Sequence, residues 1–175
     1  AYRPSKHSLS QSQILLRNYT ADEARLPMRE MVESLVLELL QIKAVTKCIH
    51  VHIGYAAEDV KSTGGSRTLA HYTDSFQELC PAVLALFDKN KRPHELIRRI
   101  AVSFEDLVNK AAVPTEMDLF SNALTDIAEQ EEHIQKTMLN IKGRFGKNAI
   151  LRASSLQEEG TMQFRNTLVG GHNGE

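Results

Sequence analysis

The sequence predicts an α+β fold: a four-stranded sheet carrying two helices on one face, followed by a helical C-terminal tail. Three observations predict it. A period of two appears in four separate stretches, a period near 3.6 appears in two stretches between them, and the order is strand, helix, strand, strand, helix, strand. At 175 residues and 42% apolar, the chain can bury one core of ordinary size.

The first strand is read at Ser8 to Arg17, "SLSQSQILLR", which alternates weakly before the turn-like "NYTADEA". A long helix follows from about Asp22. Acids and Pro27 occupy its first turns, and Met28, Met31, Leu35, Leu39 and Ile42 recur at helical spacing as one apolar stripe that needs a sheet to cover. In "TKCIHVHIGYA" the period returns to two. Ile49, Val51, Ile53 and Tyr55 face one way, and Cys48, His50, His52 and Gly54 the other, which gives one dry and one wet face. The stretch "AEDVKSTGGS" reads as a polar loop and "SRTLAHYT" as the next strand, so the two strands form a hairpin. Ser75 and Glu78 make a capping-box pattern ahead of Leu79, Val83, Leu84 and Phe87, with Pro81 predicting a kink or a later helix start. "LIRRIAVSFEDL" completes the sheet. Beyond Pro114, a helix is expected from a Ser121 cap through Leu124, Ile127, Ile134, Met138 and Ile141 to Phe145, ended by Gly146. The last thirty residues hold a short strand-like piece and a Gly-rich end. They are too few for a core, so they must dock or move.

Composition narrows the functional classes. Up to Lys110 there are fifteen Lys/Arg against thirteen Asp/Glu, and after it six against nine, so the front is mildly basic and the tail acidic. Two cysteines without CxxC spacing suit a reducing compartment, with the cytoplasm as the expectation. No apolar run reaches membrane-spanning length, and "AYRPSKHSLS" lacks the apolar core of a signal peptide. The start without methionine suggests a fragment of a longer protein. Catalytic motifs are absent: there is no GxSxG, Walker loop, HExxH or carboxylate pair on strand ends, and Glu58 with Asp59 reads as solvated loop charge.

With both helices on one face, the other face of the sheet is left to solvent. His50 and His52 point there, with Arg67, His71, Arg98 and Arg99 as companions from neighbouring strands. Strict alternation forbids Arg98 and Arg99 from sharing a face. A polar, partly cationic sheet surface suits phosphate, because Lys and Arg release counterions and exposed strand-end amides donate to phosphate oxygens. An ordinary solvated face is the competing reading. Cys48, His50 and His52 imitate a metal site, but three same-face positions span about 13 Å in an extended strand, too far for one ion.

Three segments carry a family resemblance: "KHSLS" at Lys6 to Ser10 is similar to a Lys-Ser-Ile-Gly opening, "GGSRT" at Gly64 to Thr68 to a Ser-Arg strand start, and "LIRRIAV" at Leu96 to Val102 to Ile-Arg-Arg-Ile-Gly-Val. In this order and spacing the chain resembles the C-terminal little-finger domain of Y-family translesion DNA polymerases of the DinB, UmuC and ImpB type. It departs at Ser10 and Ala101, where that family has glycine. The resemblance implies a βαββαβ little-finger domain over residues 1–110 that lies on primer-template duplex through phosphate contacts. Lys6, Ser8, Ser10, Gln11, Gln13, Ser66, Arg67, Arg98 and Arg99 are the implied contacts, and binding is expected to weaken steeply with salt.

Residues 111–122 form a linker whose Glu116, Met117, Asp118, Leu119 and Phe120 resemble the family's sliding-clamp peptide, Gln-Leu-Ser/Asp-Leu-Phe, with Glu116 replacing the glutamine. Residues 123–175 form the tail, in which "GKNAIL" and "RNTLVGGH" resemble the Gram-positive and mobile-element branch; another repair protein is a possible partner there. The parent protein is then implied to be an error-prone polymerase of DNA damage and the SOS response, with Mg²⁺ held by a palm domain absent here and no cofactor in this fragment. A free-standing nucleic-acid-binding or regulatory module without polymerase activity is the alternative, and a His50 or His52 metal module a third.

Overall fold

A computed structural model describes residues 8–113, 122–169 and 172–173. Strand β1 (Ser8–Tyr19) leads into helix α1 (Ala21–Ile42), strands β2 (Ala44–Tyr55) and β3 (Thr63–Thr73), helix α2 (Phe76–Asn90) and strand β4 (Ile97–Glu105). The fold is α+β, with an antiparallel sheet in the order β1-β4-β2-β3. A two-residue strand, β5 (Val108–Asn109), adds to the start of β2.

Local chemistry sets the helix ends. Thr20 caps α1 through a complete capping box that the sequence reading did not name: the Glu23 amide donates to Thr20 Oγ1 at 3.3 Å, and the Thr20 amide donates to Glu23 Oε2 at 2.7 Å. On α2 only half of the expected box forms. The Glu78 amide donates to Ser75 Oγ at 3.3 Å, while the Glu78 carboxylate is drawn off by His71 Nε2 at 2.8 Å. Pro81 neither delays nor breaks α2, which begins at Phe76 and runs through it. Pro81 is the sixth helical residue, so it withholds the i→i−4 donor from the Gln77 carbonyl, and the burial of Leu79, Val83 and Phe87 on either side of it holds the helix through that loss.

Both helices cover one face of the sheet. Met28, Met31, Leu35 and Leu39 of α1 and Leu79, Val83 and Phe87 of α2 are fully buried against Ile49, Val51, Ile53, Ile100, Val102 and Phe104. Ile42, the last member of the expected stripe, is 40% exposed at the helix end. Strand β3 starts three residues earlier than the sequence suggested, so Gly64 and Gly65 lie inside it. A Cβ at Gly64 would stand 2.4 Å from the Val51 carbonyl oxygen, so glycine is what lets the two backbones approach there.

Helix α3 (Asn122–Phe145) ends before Gly146, whose φ of 99° is the expected left-handed stop; the Ser121 cap lies outside the described residues. The tail continues through a 3₁₀ turn (Ala153–Leu156), a short helix α4 (Met162–Arg165) and a small hairpin of β6 (Leu168–Val169) and β7 (His172–Asn173). It docks on the outer side of α1, making that helix the middle of three layers. This is why Glu30 and Glu33, on the side of α1 away from the sheet, are 2% and 4% exposed. Burying two carboxylates costs several kcal/mol each unless they are paired. The tail supplies the partners: Arg152 Nε donates to Glu33 at 2.6 Å, Lys142 Nζ lies 3.8 Å from it, and the Thr161 amide donates to Glu30 at 2.9 Å. Met162, at 1% exposure, adds roughly 2 kcal/mol of apolar burial.

Candidate nucleic-acid interface

The face of the sheet opposite the helices is covered by no described element. Its composition follows from the register. Ser8, Glu105, Cys48 and Thr68 form one row across the four strands, and Ser10, Ser103, His50 and Ser66 the next. Ser12, Ala101, His52 and Gly64 form the third, with Ile14, Arg99 and Gly54 beyond them. Strand spacing makes this surface about 14 Å by 20 Å. Nearly every side chain on it is small or carries a hydroxyl or imidazole, so a ligand backbone can come close to the sheet. Ser10 and Ala101, at the glycine positions of the resembled family, both belong to it.

Arg99 is the exposed cation of this face, and it has no ion pair with another described residue. A Cβ on Gly54 would meet the Arg99 Cβ at 3.1 Å, so the bare glycine makes room for the arginine stem. The neighbouring Arg98 does not obey the alternation assumed from sequence. A bulge in β4 sets Gly54 opposite Arg99 and the next pair at Tyr55 and Ile97, leaving Arg98 as the extra residue. A bulge of this kind suspends the rule that sends adjacent side chains to opposite faces, and re-aims one of them.

Several expected contacts lie elsewhere. Arg67 pairs with Ile49, whose side chain faces the helices, so Arg67 is exposed on the helix side of edge strand β3, while Ser66 and Thr68 take the open side. Gln11 and Gln13 pair with Val102 and Ile100 and share their helix-facing side. Gln13 bonds Thr161 of the tail at 3.0 Å, and Gln11 Oε1 is buried without a partner among the described residues. His71 belongs to Glu78 of α2. The signals were present in the sequence: Leu9 and Leu15 share the parity of Gln11 and Gln13, and Leu69 that of Arg67. Ser12, Ser103, Thr68 and Ile14 are face residues that the sequence reading did not single out. Ser8, Ser10 and Ser66 lie on the open face. Lys6 and the peptide Glu116, Met117, Asp118, Leu119 and Phe120 fall outside the described residues.

Electrostatically the face is mild. Glu105 sits at one end, near Cys48, and Arg99 at the other. Burial pushes the Cys48 thiol up, with the Glu105 and Asp106 carboxylates acting in the same direction. Among the described residues no group of three or more His, Cys, Asp or Glu side chains could hold a metal ion. No helix of the described residues is long and apolar enough to cross a membrane.

The chain is 30% identical over 172 residues to "Putative UV-damage repair protein UvrX" of Bacillus subtilis (strain 168), covering 94% of this chain and 38% of that protein. It is 29% identical over 144 residues to "DNA polymerase IV" of Pelotomaculum thermopropionicum, covering 77% and 33%. The chain therefore spans about a third of the length of the curated relatives it matches. Among solved structures, "Complex of beta-clamp processivity factor and little finger domain of PolIV" is similar with a TM-score of 0.46 and 13% identity, over 66% of this chain and 99% of that one. Residues 6–119 match the impB/mucB/samB family C-terminal domain, and the chain belongs to that family.

Proposed function

We propose that this chain is the DNA-holding domain of an error-prone translesion DNA polymerase, and that its open sheet face rests on the sugar-phosphate backbone of primer-template duplex. The observation that carries the reading is the face itself, uncovered by any described element, a field of Ser, Thr and His side chains with an Arg99 that has no ion pair with another described residue. Hydroxyls donate to phosphate oxygens and the guanidinium binds them with charge, and neither reads base sequence. The names of the relatives, a UV-damage repair protein and DNA polymerase IV, support the same reading.

With Arg99, and Arg98 of the adjoining bulge, as the charged contacts among the described residues, few counterions are released, and the expected salt dependence is shallower than the family resemblance implies. In this reading Mg²⁺-dependent nucleotide transfer belongs to a catalytic domain that this sequence does not include, and the protein works in the cytoplasm. Met117, Leu119 and Phe120 are the apolar anchors that seat the chain on a sliding clamp, as a few buried side chains dominate peptide docking. Residues 152–165 of the tail are engaged with α1 and β1, which leaves exposed α3 side chains such as Ile127 and Ile134 to meet any further repair protein.

The test is anisotropy of a labelled duplex with the 175-residue chain. Binding that varies little between unrelated sequences is expected, and no binding at 50 mM salt overturns the reading. For the peptide, sliding clamp is titrated with the chain and with a Leu119→Ala, Phe120→Ala double variant. The double variant should lose at least tenfold in affinity, and equal binding removes the clamp from the proposal.

A further inference from the structure

Strand β1 is an edge strand with a weak point. Its regular pairing with β4 runs from Ser8 to Ile14 and then breaks, resuming only at Tyr19 opposite Ile97. The residues between have no ladder of their own, and an edge strand has a second side without a neighbour. Ser12 and Ile14, on the open face, border this break.

Behind the break stands the tail. Tyr19, 1% exposed, donates its hydroxyl to the Glu159 carbonyl at 3.2 Å. Thr161, 0% exposed, holds Gln13 at 3.0 Å and the Glu30 carboxylate of α1 at 3.1 Å through one hydroxyl, while its amide donates to the same carboxylate. A hydroxyl has a single proton. It is best used on the carboxylate, leaving Oγ1 to accept from the Gln13 amide group, whose orientation is free to suit. Arg165, largely buried, completes the clasp by donating to the Glu30 carbonyl at 3.3 Å and to Ser34 Oγ at 3.0 Å. The tail thus grips β1 at Gln13 and Tyr19, one attachment on each side of the broken ladder, and ties both to α1.

We propose that the tail is a brace for the edge of the DNA face, and that Thr161 is its positioning residue, fixing Ser12 and Ile14 through Gln13. The functional meaning rests on the reading of the open face as a DNA surface, whereas the brace itself does not. The site is polar and closed, and the cost of error is asymmetric: removing the hydroxyl strands the Gln13 amide and one contact of Glu30 in a buried place, which is worse than losing an exposed hydrogen bond.

Native-state hydrogen exchange of the full chain tests this. Thr161→Val keeps the shape and removes the hydroxyl, and Thr161→Ser restores it. Amides of β1 should exchange roughly 5- to 100-fold faster in the valine variant, those of β2 and β3 should change less than about twofold, and serine should return β1 to the wild-type rate. If the valine variant unfolds, Tyr19→Phe removes the other attachment alone and should loosen the same strand. Unchanged β1 exchange, or a loss of protection shared evenly by all four strands, overturns the brace. Duplex affinity depends on the fraction of chains with β1 closed, so it is insensitive while that fraction stays near one. Exchange that behaves as expected in a chain that never binds duplex would sink the DNA reading and leave the brace standing.

Discussion

Replacing Arg99 by alanine should halve the salt dependence of duplex binding without changing sequence preference. Among the described residues the open face carries Arg99 in its last row, and in the proposed reading Arg98, the extra residue of the adjoining bulge, is a second contact, so about two phosphates are neutralised. With a slope near −0.9 per contact, log affinity should fall with log salt at about −1.8. Between 50 and 200 mM salt the wild-type chain should lose about twelvefold in affinity, and Arg99→Ala only about 3.5-fold. Anisotropy titrations of one labelled duplex at three salt concentrations measure both slopes. Proteins making six to ten phosphate contacts lose about 10³ to 10⁵ over that range. A wild-type slope near −6 would mean that binding runs through cations elsewhere, such as Arg67 on the helix side. An unchanged slope in Arg99→Ala would mean that Arg99 meets no phosphate. Either result refutes the assignment of this face.

Two further outcomes follow from the fold. Gly64→Ala places a Cβ 2.4 Å from the Val51 carbonyl oxygen and 3.2 Å from the His52 Cα, and backbone cannot swing aside as a side chain would. It should cost about 1–3 kcal/mol in urea unfolding, and an unchanged midpoint would show that β2 and β3 are not so closely apposed. Glu23 is held down to about 2, chiefly by the Arg17 guanidinium and then by the Thr20 amide. A depressed carboxyl stabilises the fold above its unfolded value near 4.5 and loses that contribution as pH falls towards 2. Glu23→Gln should therefore be less stable than wild type at pH 6, by no more than about 1 kcal/mol because the pair is exposed, and equal to it near pH 2. A difference independent of pH would refute the pairing.

The order of elements could be read from sequence because periodicity is a local property. Ile49, Val51 and Ile53 alternate with Cys48, His50 and His52, and only one set can meet the apolar stripes of α1 and α2, so β2 declares its faces by itself. Ser8, Ser10 and Ser66 also lie on the open side, but there the family resemblance rather than periodicity singles them out. Strand β1 shows where this stops. Serines and glutamines alternate along it, both polar, so composition does not separate its sides; two leucines of odd parity do, by entering the core.

Sequence alone determined the α+β order, the wet face of β2, the helix stop at Gly146 and a family membership that residues 6–119 carry. Tertiary structure alone decided which cations share that face, because cross-strand register and the β4 bulge are set by pairing partners far away in the chain. It alone also decided the fate of the tail. Glu30 and Glu33 look in sequence like the solvated side of an amphipathic helix, and they become buried only because Arg152, Lys142 and Thr161, more than a hundred residues later, fold back to meet their charge.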